Sequence, residues 1–170
     1  MKVQGIHYET GKAVEVHIQD GKIAGIESCG DKHAAKLPYL APGLIDIQIN
    51  GYKGNNFNGH PVSPETIMKA TRDLWAEGVT GYYPTITTHG KDEINSAMRA
   101  ISEACRADSA SRQTVRGIHL EGPFISPEDG ARGAHAREYV IPPDWELFQR
   151  WQESAEGMIR IVTLSPEWPE

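Results

Sequence analysis

The run Gly117-Ile118-His119-Leu120-Glu121-Gly122-Pro123-Phe124 decides how this chain is read. It has the form of a strand that ends in a carboxylate and then breaks at Gly-Pro. Side chains alternate faces along a strand. Ile118 and Leu120 therefore share one face, and His119 and Glu121 share the other. A polar face at the C-terminal end of a strand needs a reason. In a barrel of parallel strands that end is where active sites are built.

The flanking sequence alternates strand and helix patterns. Leu44 to Asn50 reads as a strand, with Ile45, Ile47 and Ile49 on one face and Asp46, Gln48 and Asn50 on the other. Ser63 as N-cap, Pro64 at the first helical position and Glu65 in the first turn open a helix. Its Ile67, Ala70, Thr71, Leu74 and Trp75 recur at helical spacing, and Gly78 ends it. Val79 to Ile86 is the next strand, Ile94, Ala97, Met98, Ile101 and Cys105 mark a second helix, and Val115 to Phe124 is the third strand. Asp144 caps a third helix with Leu147, Phe148 and Trp151 on its apolar side and Gly157 as a stop. Ile159 to Leu164 is a fourth strand.

Regular alternation implies a parallel sheet with right-handed crossovers. A barrel is favoured over an open doubly wound sheet, because several strands carry polar residues near their ends. A complete eight-fold barrel takes about 250 residues, and this chain has 170. The expected fold class is therefore α/β: the first half of a (β/α)8 TIM-type barrel, about four βα units over residues 41–170, preceded by a small N-terminal β unit. Residues 1–40 read as that β-sandwich-like segment. Ala13 to Ile18 and Lys22 to Glu27 alternate apolar and polar around Asp20-Gly21, the signature of a tight type I′ hairpin. Cys29 to His33 reads as a polar connection.

Composition narrows the partners. A net charge of −6 argues against nucleic acid or an anionic membrane as the main partner. The segment Met1 to Gly5 lacks the apolar core of a signal peptide, and no apolar run approaches the roughly 20 residues that span a bilayer. Cys29 and Cys105 form no CxxC pair and read as two buried thiols. The expected location is the cytoplasm.

The sequence resembles the N-acetylglucosamine-6-phosphate deacetylases of the amidohydrolase superfamily. The matching blocks are Ala41 to Gly51, Gly78-Val79-Thr80 with Pro84-Thr85, Gly117 to Pro127, Gly133-Ala134-His135, and Thr163 to Glu167. They run in family order through most of residues 41–167. The resemblance implies a metal-dependent hydrolase that removes the acetyl group of an amino sugar phosphate. It implies that Glu121 binds one divalent metal ion, with zinc the favoured ion, and that Ala134 and His135 contact the substrate. Gln48 and Asn50 stand where other amidohydrolases carry a His-x-His metal pair, which looks like the single-metal subgroup. Such a metal activates water for attack on an amide at neutral pH.

The family's two further histidine ligands and its catalytic aspartate come from later strands. No catalytic residue is therefore assigned within this chain, which looks truncated and is expected to be inactive alone. A half-barrel leaves two open sheet edges, which invites pairing with another chain, so a homo-oligomer is expected.

Plainer roles stand beside these. His119 is expected to pack or hydrogen-bond beneath the site, and Gln48 and Asn50 to satisfy backbone groups at the barrel mouth, because amides are weak zinc ligands. His60 and His89 are set aside as surface residues. Trp75, Trp145 and Trp151 fall on or beside apolar helix faces. Gly51 to Asn58 lacks the phosphate-loop pattern. Two other functions remain open: an amidohydrolase acting on another N-acyl or cyclic amide, and a non-catalytic assembly module that keeps half the fold.

Overall fold

The computed structural model describes residues 1–30 and 36–168. Two compact units divide between Pro42 and Gly43. Among the described residues no helix is long and apolar enough to cross a membrane.

In the first unit, β1 (Lys2–His7), β2 (Ala13–Gln19) and β3 (Lys22–Ser28) form an antiparallel meander, and β4 (Tyr39–Leu40) lies parallel to β1. Asp20 and Gly21 have φ of 51° and 72°, the two positive values a type I′ turn needs. The expected hairpin is therefore β2–β3. The strand β1 went unread, because it buries only Gly5 and Ile6 and so shows little alternation. Its polar side chains tie it to β2. Lys2 Nζ and Gln4 Nε2 both donate to the Glu15 carboxylate, at 2.6 and 2.9 Å. The Lys2 ammonium, with help from Gln4, holds that carboxyl down to about 2. Cys29 is half-buried rather than buried. Of the connection expected at 29–33, residues 31–33 lie outside the described residues.

The second unit begins with β5 (Leu44–Ile49) and a two-residue hairpin, β6 (Gly51–Tyr52) with β7 (Asn55–Asn56). Then come α1 (Pro64–Ala76), β8 (Val79–Thr87), α2 (Lys91–Ala107), α3 (Ser109–Thr114) and β9 (Ile118–Glu121). A short 3-10 turn (Arg137–Tyr139), α4 (Trp145–Ser154) and β10 (Ile159–Thr163) complete it. The sheet order is β10-β9-β8-β5, and every neighbouring pair is parallel. Each new strand is laid beside the last, as the βα alternation implied.

The helices cover one face of this sheet. Ile67, Ala70 and Leu74 of α1, Ile94, Met98 and Ile101 of α2, and Leu147 and Trp151 of α4 pack on Tyr82, Ile86, Ile118 and Leu120. Full burial of such a side chain is worth about 1.5–3 kcal/mol. The buried Tyr82 hydroxyl needs a partner and finds the Thr71 hydroxyl at 2.9 Å; burial pushes its phenol pKa up. Asp144 accepts from the Leu147 N–H at 2.9 Å and caps α4 as expected. Ser63 precedes α1 as expected, yet its hydroxyl makes no cap bond and rests 3.4 Å from the Thr66 hydroxyl.

Four details depart from the sequence reading. The third strand is shorter than Val115 to Phe124, because Val115 caps α3 and Gly122 turns the chain. That helix, α3, was not expected; Asp108 nucleates it by accepting from the Ser111 N–H at 2.9 Å. Trp75 is exposed and donates from Nε1 to the Thr114 hydroxyl instead of joining the core. The isoleucines of β5 do not share a face. Asp46 pairs with Tyr82 and Ile49 with Pro84, so three steps on β5 span two on β8. This irregularity breaks the alternation. Ile49 packs against the core, whereas Ile45 and Ile47 are each 63% exposed.

Candidate active site

The C-terminal ends of β5, β8 and β9 come together at one end of the sheet. Thr87 and Thr163 flank Glu121 in register on either side. These strand ends and the loop after β9 line a cavity of about 550 Å³. Gln48 and Asn50, Thr87 and Thr88, Glu121, and the stretch from Ala131 to Ala136 form its wall. Glu121, Ala134 and His135, singled out from sequence, thus lie around the same space.

Glu121 is held in place by its neighbours. Gln48 Nε2 donates to Glu121 Oε1 at 2.8 Å. This corrects the expectation that Gln48 satisfies backbone groups; its amide orients a carboxylate one strand away from its immediate neighbour. Immediately after Glu121, Gly122 adopts φ of 87°. A side chain there would be strained and would also strike the Thr88 hydroxyl. That hydroxyl lies 2.9 Å from His135 Nδ1. The glycine therefore lets the strand end turn and lets His135 dock against β8.

The loop that carries His135 is tied by Arg132. Its Nη1 donates to the His135 carbonyl at 2.7 Å, and Nη2 pairs with Asp129. The Nε–H of Arg132 is buried without a partner among the described residues. Nothing in the sequence reading marked Arg132, although it stands within the Gly133-Ala134-His135 block's N-terminal flank.

His119 is 4% exposed and lies beneath the cavity. Its Nε2 is 2.8 Å from the Thr163 hydroxyl and its Nδ1 3.4 Å from the Thr85 hydroxyl. Burial lowers its pKa. With both nitrogens engaged, it is a packing and positioning group, as expected. Asn58 does similar work and was missed. Its side chain accepts from the Thr87 N–H at 2.8 Å and donates to the Thr85 carbonyl at 2.9 Å, which finishes the end of β8. His60 and His89, set aside from sequence, meet with ring centroids 4.2 Å apart, and Tyr139 stacks on His89 at 4.8 Å. Burial, reinforced by His89, lowers the His60 pKa.

A metal centre can be tested against these donors. Catalytic zinc sites keep three protein ligands. Among the described residues no group of three His, Cys, Asp or Glu side chains is placed to hold an ion. Glu121 supplies one carboxylate, and the groups nearest to it are an amide and hydroxyls. The residues present do not fit a complete metal site.

No protein-family model matches the chain. Individual proteins do. The N-acetylglucosamine-6-phosphate deacetylase of Bacillus subtilis is 37% identical over 165 residues, which is 89% of this chain and 40% of that protein. The N-acetylgalactosamine-6-phosphate deacetylase of a Shewanella species is 31% identical over 89% of this chain and 39% of its own length. The crystal structure of N-acetylglucosamine-6-phosphate deacetylase from Pasteurella multocida superimposes with a TM-score of 0.78 at 24% identity, covering 99% of this chain and 46% of that one. The chain spans less than half the length of the proteins it matches. Within that span it is a homologue of the N-acetylglucosamine-6-phosphate deacetylases, with the same mixed α/β fold.

Proposed function

We propose that this chain forms the Glu121 side of an amino-sugar-phosphate deacetylase active site, in a metal-dependent hydrolase that cleaves the amide of N-acetylglucosamine 6-phosphate. The observation that carries the reading is the cavity at the strand ends, where Gln48 orients Glu121 opposite the loop bearing Ala134 and His135. In this reading residues 41–170 are half of a (β/α)8 barrel and residues 1–40 a separate β-sandwich-like segment. Glu121 is one ligand of a single divalent ion, zinc being the favoured one. Ala134 and His135 contact the substrate. Two unpaired thiols suit a reducing cytoplasm.

The chain's own residues have definite tasks. Gln48 fixes one carboxylate oxygen of Glu121, which lines the cavity. Arg132 and Thr88 hold His135 from both sides, so that its Nε2 stays available to a substrate hydroxyl. His119 supports the floor without entering it. The Shewanella relative acts on the galactosamine epimer by name, so the C4 configuration of the sugar is the specificity question within this class.

The test is acetate release from N-acetylglucosamine 6-phosphate by this chain co-expressed with the part of the Bacillus subtilis deacetylase that it does not match. Release that requires a divalent metal and vanishes in Glu121→Gln is the expected result. Full activity in that variant overturns the role of Glu121. The same assay with the galactosamine epimer ranks the two substrates.

A further inference from the structure

Between Asp46 and Ile49 the strand β5 takes three steps while β8 takes two, from Tyr82 to Pro84. Two successive N–H groups in that stretch are bonded to side chains. The Gln48 N–H donates to Asp46 Oδ1 at 3.0 Å, and the Ile49 N–H donates to the Thr85 hydroxyl at 3.0 Å. Thr85 is fully buried, and its partner in register on β9 is His119. A hydroxyl has one donor and two acceptor positions, and Thr85 uses all three. It donates to the Tyr83 carbonyl at 3.2 Å, accepts from the Ile49 N–H, and lies 3.4 Å from His119 Nδ1. His119 Nε2 is in turn 2.8 Å from the Thr163 hydroxyl. One buried hydroxyl thus joins β5, β8 and β9, and the imidazole carries the link on to β10.

The peptide unit is planar. The Gln48 N–H belongs to the plane before Gln48, and the Ile49 N–H to the plane after it. Fixing both planes fixes φ and ψ of Gln48, and with them the direction in which its side chain leaves the strand. An irregularity in a strand beside a site re-aims a side chain in this way. The Gln48 amide meets Glu121 Oε1 at 2.8 Å, although β8 lies between their two strands. We propose that Thr85 is a positioning residue: its hydroxyl holds the plane that follows Gln48 and so aims the Gln48 amide at Glu121. His119 keeps that hydroxyl in place from β9. A hydroxyl that only satisfied a buried N–H would stabilise the sheet without setting the Gln48 side chain, and the two roles separate by experiment. The clasp stands on this geometry; its consequence for a metal-binding carboxylate rests on the deacetylase reading.

The experiment is nuclear magnetic resonance of the isotope-labelled 170-residue chain with a chelator present. The Gln48 side-chain amide is assigned by its loss in Gln48→Ala, and Glu121→Ala defines the signal of the released amide. In the parent chain the Gln48 amide should be ordered and displaced from that released position. The Thr85 hydroxyl proton should exchange slowly enough to be seen beside the Ile49 N–H. Thr85→Val, which keeps the shape and removes the hydroxyl, should move the Gln48 signal to the released position and lower its order parameter below about 0.6, the range of flexible groups. Thr85→Ser, which keeps the hydroxyl, should retain the parent signal. Ile86→Val loosens the same strand from the helix side and should leave the Gln48 signal unchanged. The proposal is overturned by a Gln48 signal that stays at the parent position in Thr85→Val, by an equal displacement in Ile86→Val, or by a released amide in Thr85→Ser or in the parent chain. If Thr85→Val does not fold, the parent hydroxyl proton decides: slow exchange beside the Ile49 N–H supports the clasp, and fast exchange overturns it. No metal or substrate enters the measurement, so failure of the deacetylase reading leaves this result intact.

Discussion

At the scale of single residues, Glu121 owes its position to one neighbour on each side. Gln48 lies 73 residues earlier in the chain and donates to it, and Gly122 frees the turn that follows. A partner that orients a metal-binding carboxylate commonly changes metal affinity or activity by about 10–100-fold when removed. On the proposed reading of Glu121 as a metal ligand, Gln48→Ala in the assembled protein is expected to lower metal affinity within that range, as read by metal titration; an unchanged affinity would assign the Gln48 contact to packing alone. Gly122→Ala forces a left-handed residue to carry a Cβ against the Thr88 hydroxyl. A loss of about 1–3 kcal/mol is expected, measured by urea unfolding. The thiols provide a third check. Burial pushes the Cys105 thiol up to about 11, so at pH 8 it is protonated and unreactive. Cys29 is half-buried. A thiol reagent at pH 8 should label one group promptly and the second only in denaturant; equal rates for both would contradict the buried placement of Cys105. The strand-end position of Glu121 was legible from local alternation, and Glu121 lines one cavity with Ala134 and His135, the two residues named from the resemblance. The Gln48 contact was not, because nothing in the spacing of β5 and β9 sets their separation.

At the scale of elements, caps and turns act locally and were mostly readable. Asp144 announces α4, and Asp144→Ala should cost about 1 kcal/mol of stability, detectable as a lowered thermal midpoint. Asp108 announces α3 by the same chemistry and was overlooked, because α3 is too short to show a helical period. Its carboxyl is held below the usual range first by the Ser111 hydroxyl and then by the Ser111 N–H, with Arg72 contributing. The sign follows from linkage. A carboxyl whose pKa is depressed on folding stabilises the native state above its unfolded pKa, near 3.8, and loses that contribution as the pH falls through its folded value. Unfolding measured between pH 5 and pH 2.5 should therefore show a shallower acid loss in Asp108→Asn than in the parent chain, and parallel curves would refute the cap. The strand β5 shows the limit of pattern reading. Its isoleucines alternate in sequence, yet an irregular pairing with β8 turns Ile49 to the core and leaves Ile45 and Ile47 exposed.

At the scale of the whole molecule, the cavity at the strand ends is lined by one carboxylate, that of Glu121. The 170-residue chain by itself should release no acetate from N-acetylglucosamine 6-phosphate, whichever divalent ion is added, because among the described residues no three ligating side chains are placed together where a catalytic zinc site uses three. Measurable metal-dependent turnover by the purified chain would overturn this.

Sequence alone determined the order of strands and helices, the parallel sense of the sheet, the β2–β3 hairpin and the chemical identity of the strand-end carboxylate. These follow from spacing along the chain: the two-residue and 3.6-residue periods, the cap residues and the Asp-Gly turn act within a few residues of themselves. Tertiary structure alone decided which amide orients Glu121, that His60 and His89 meet, that Arg132 ties the His135 loop, and that Arg116 and Arg160 lie against Gly81 and Gly117. Each of those depends on segments brought together across the sheet. No local period encodes the distance between them, and only packing sets it.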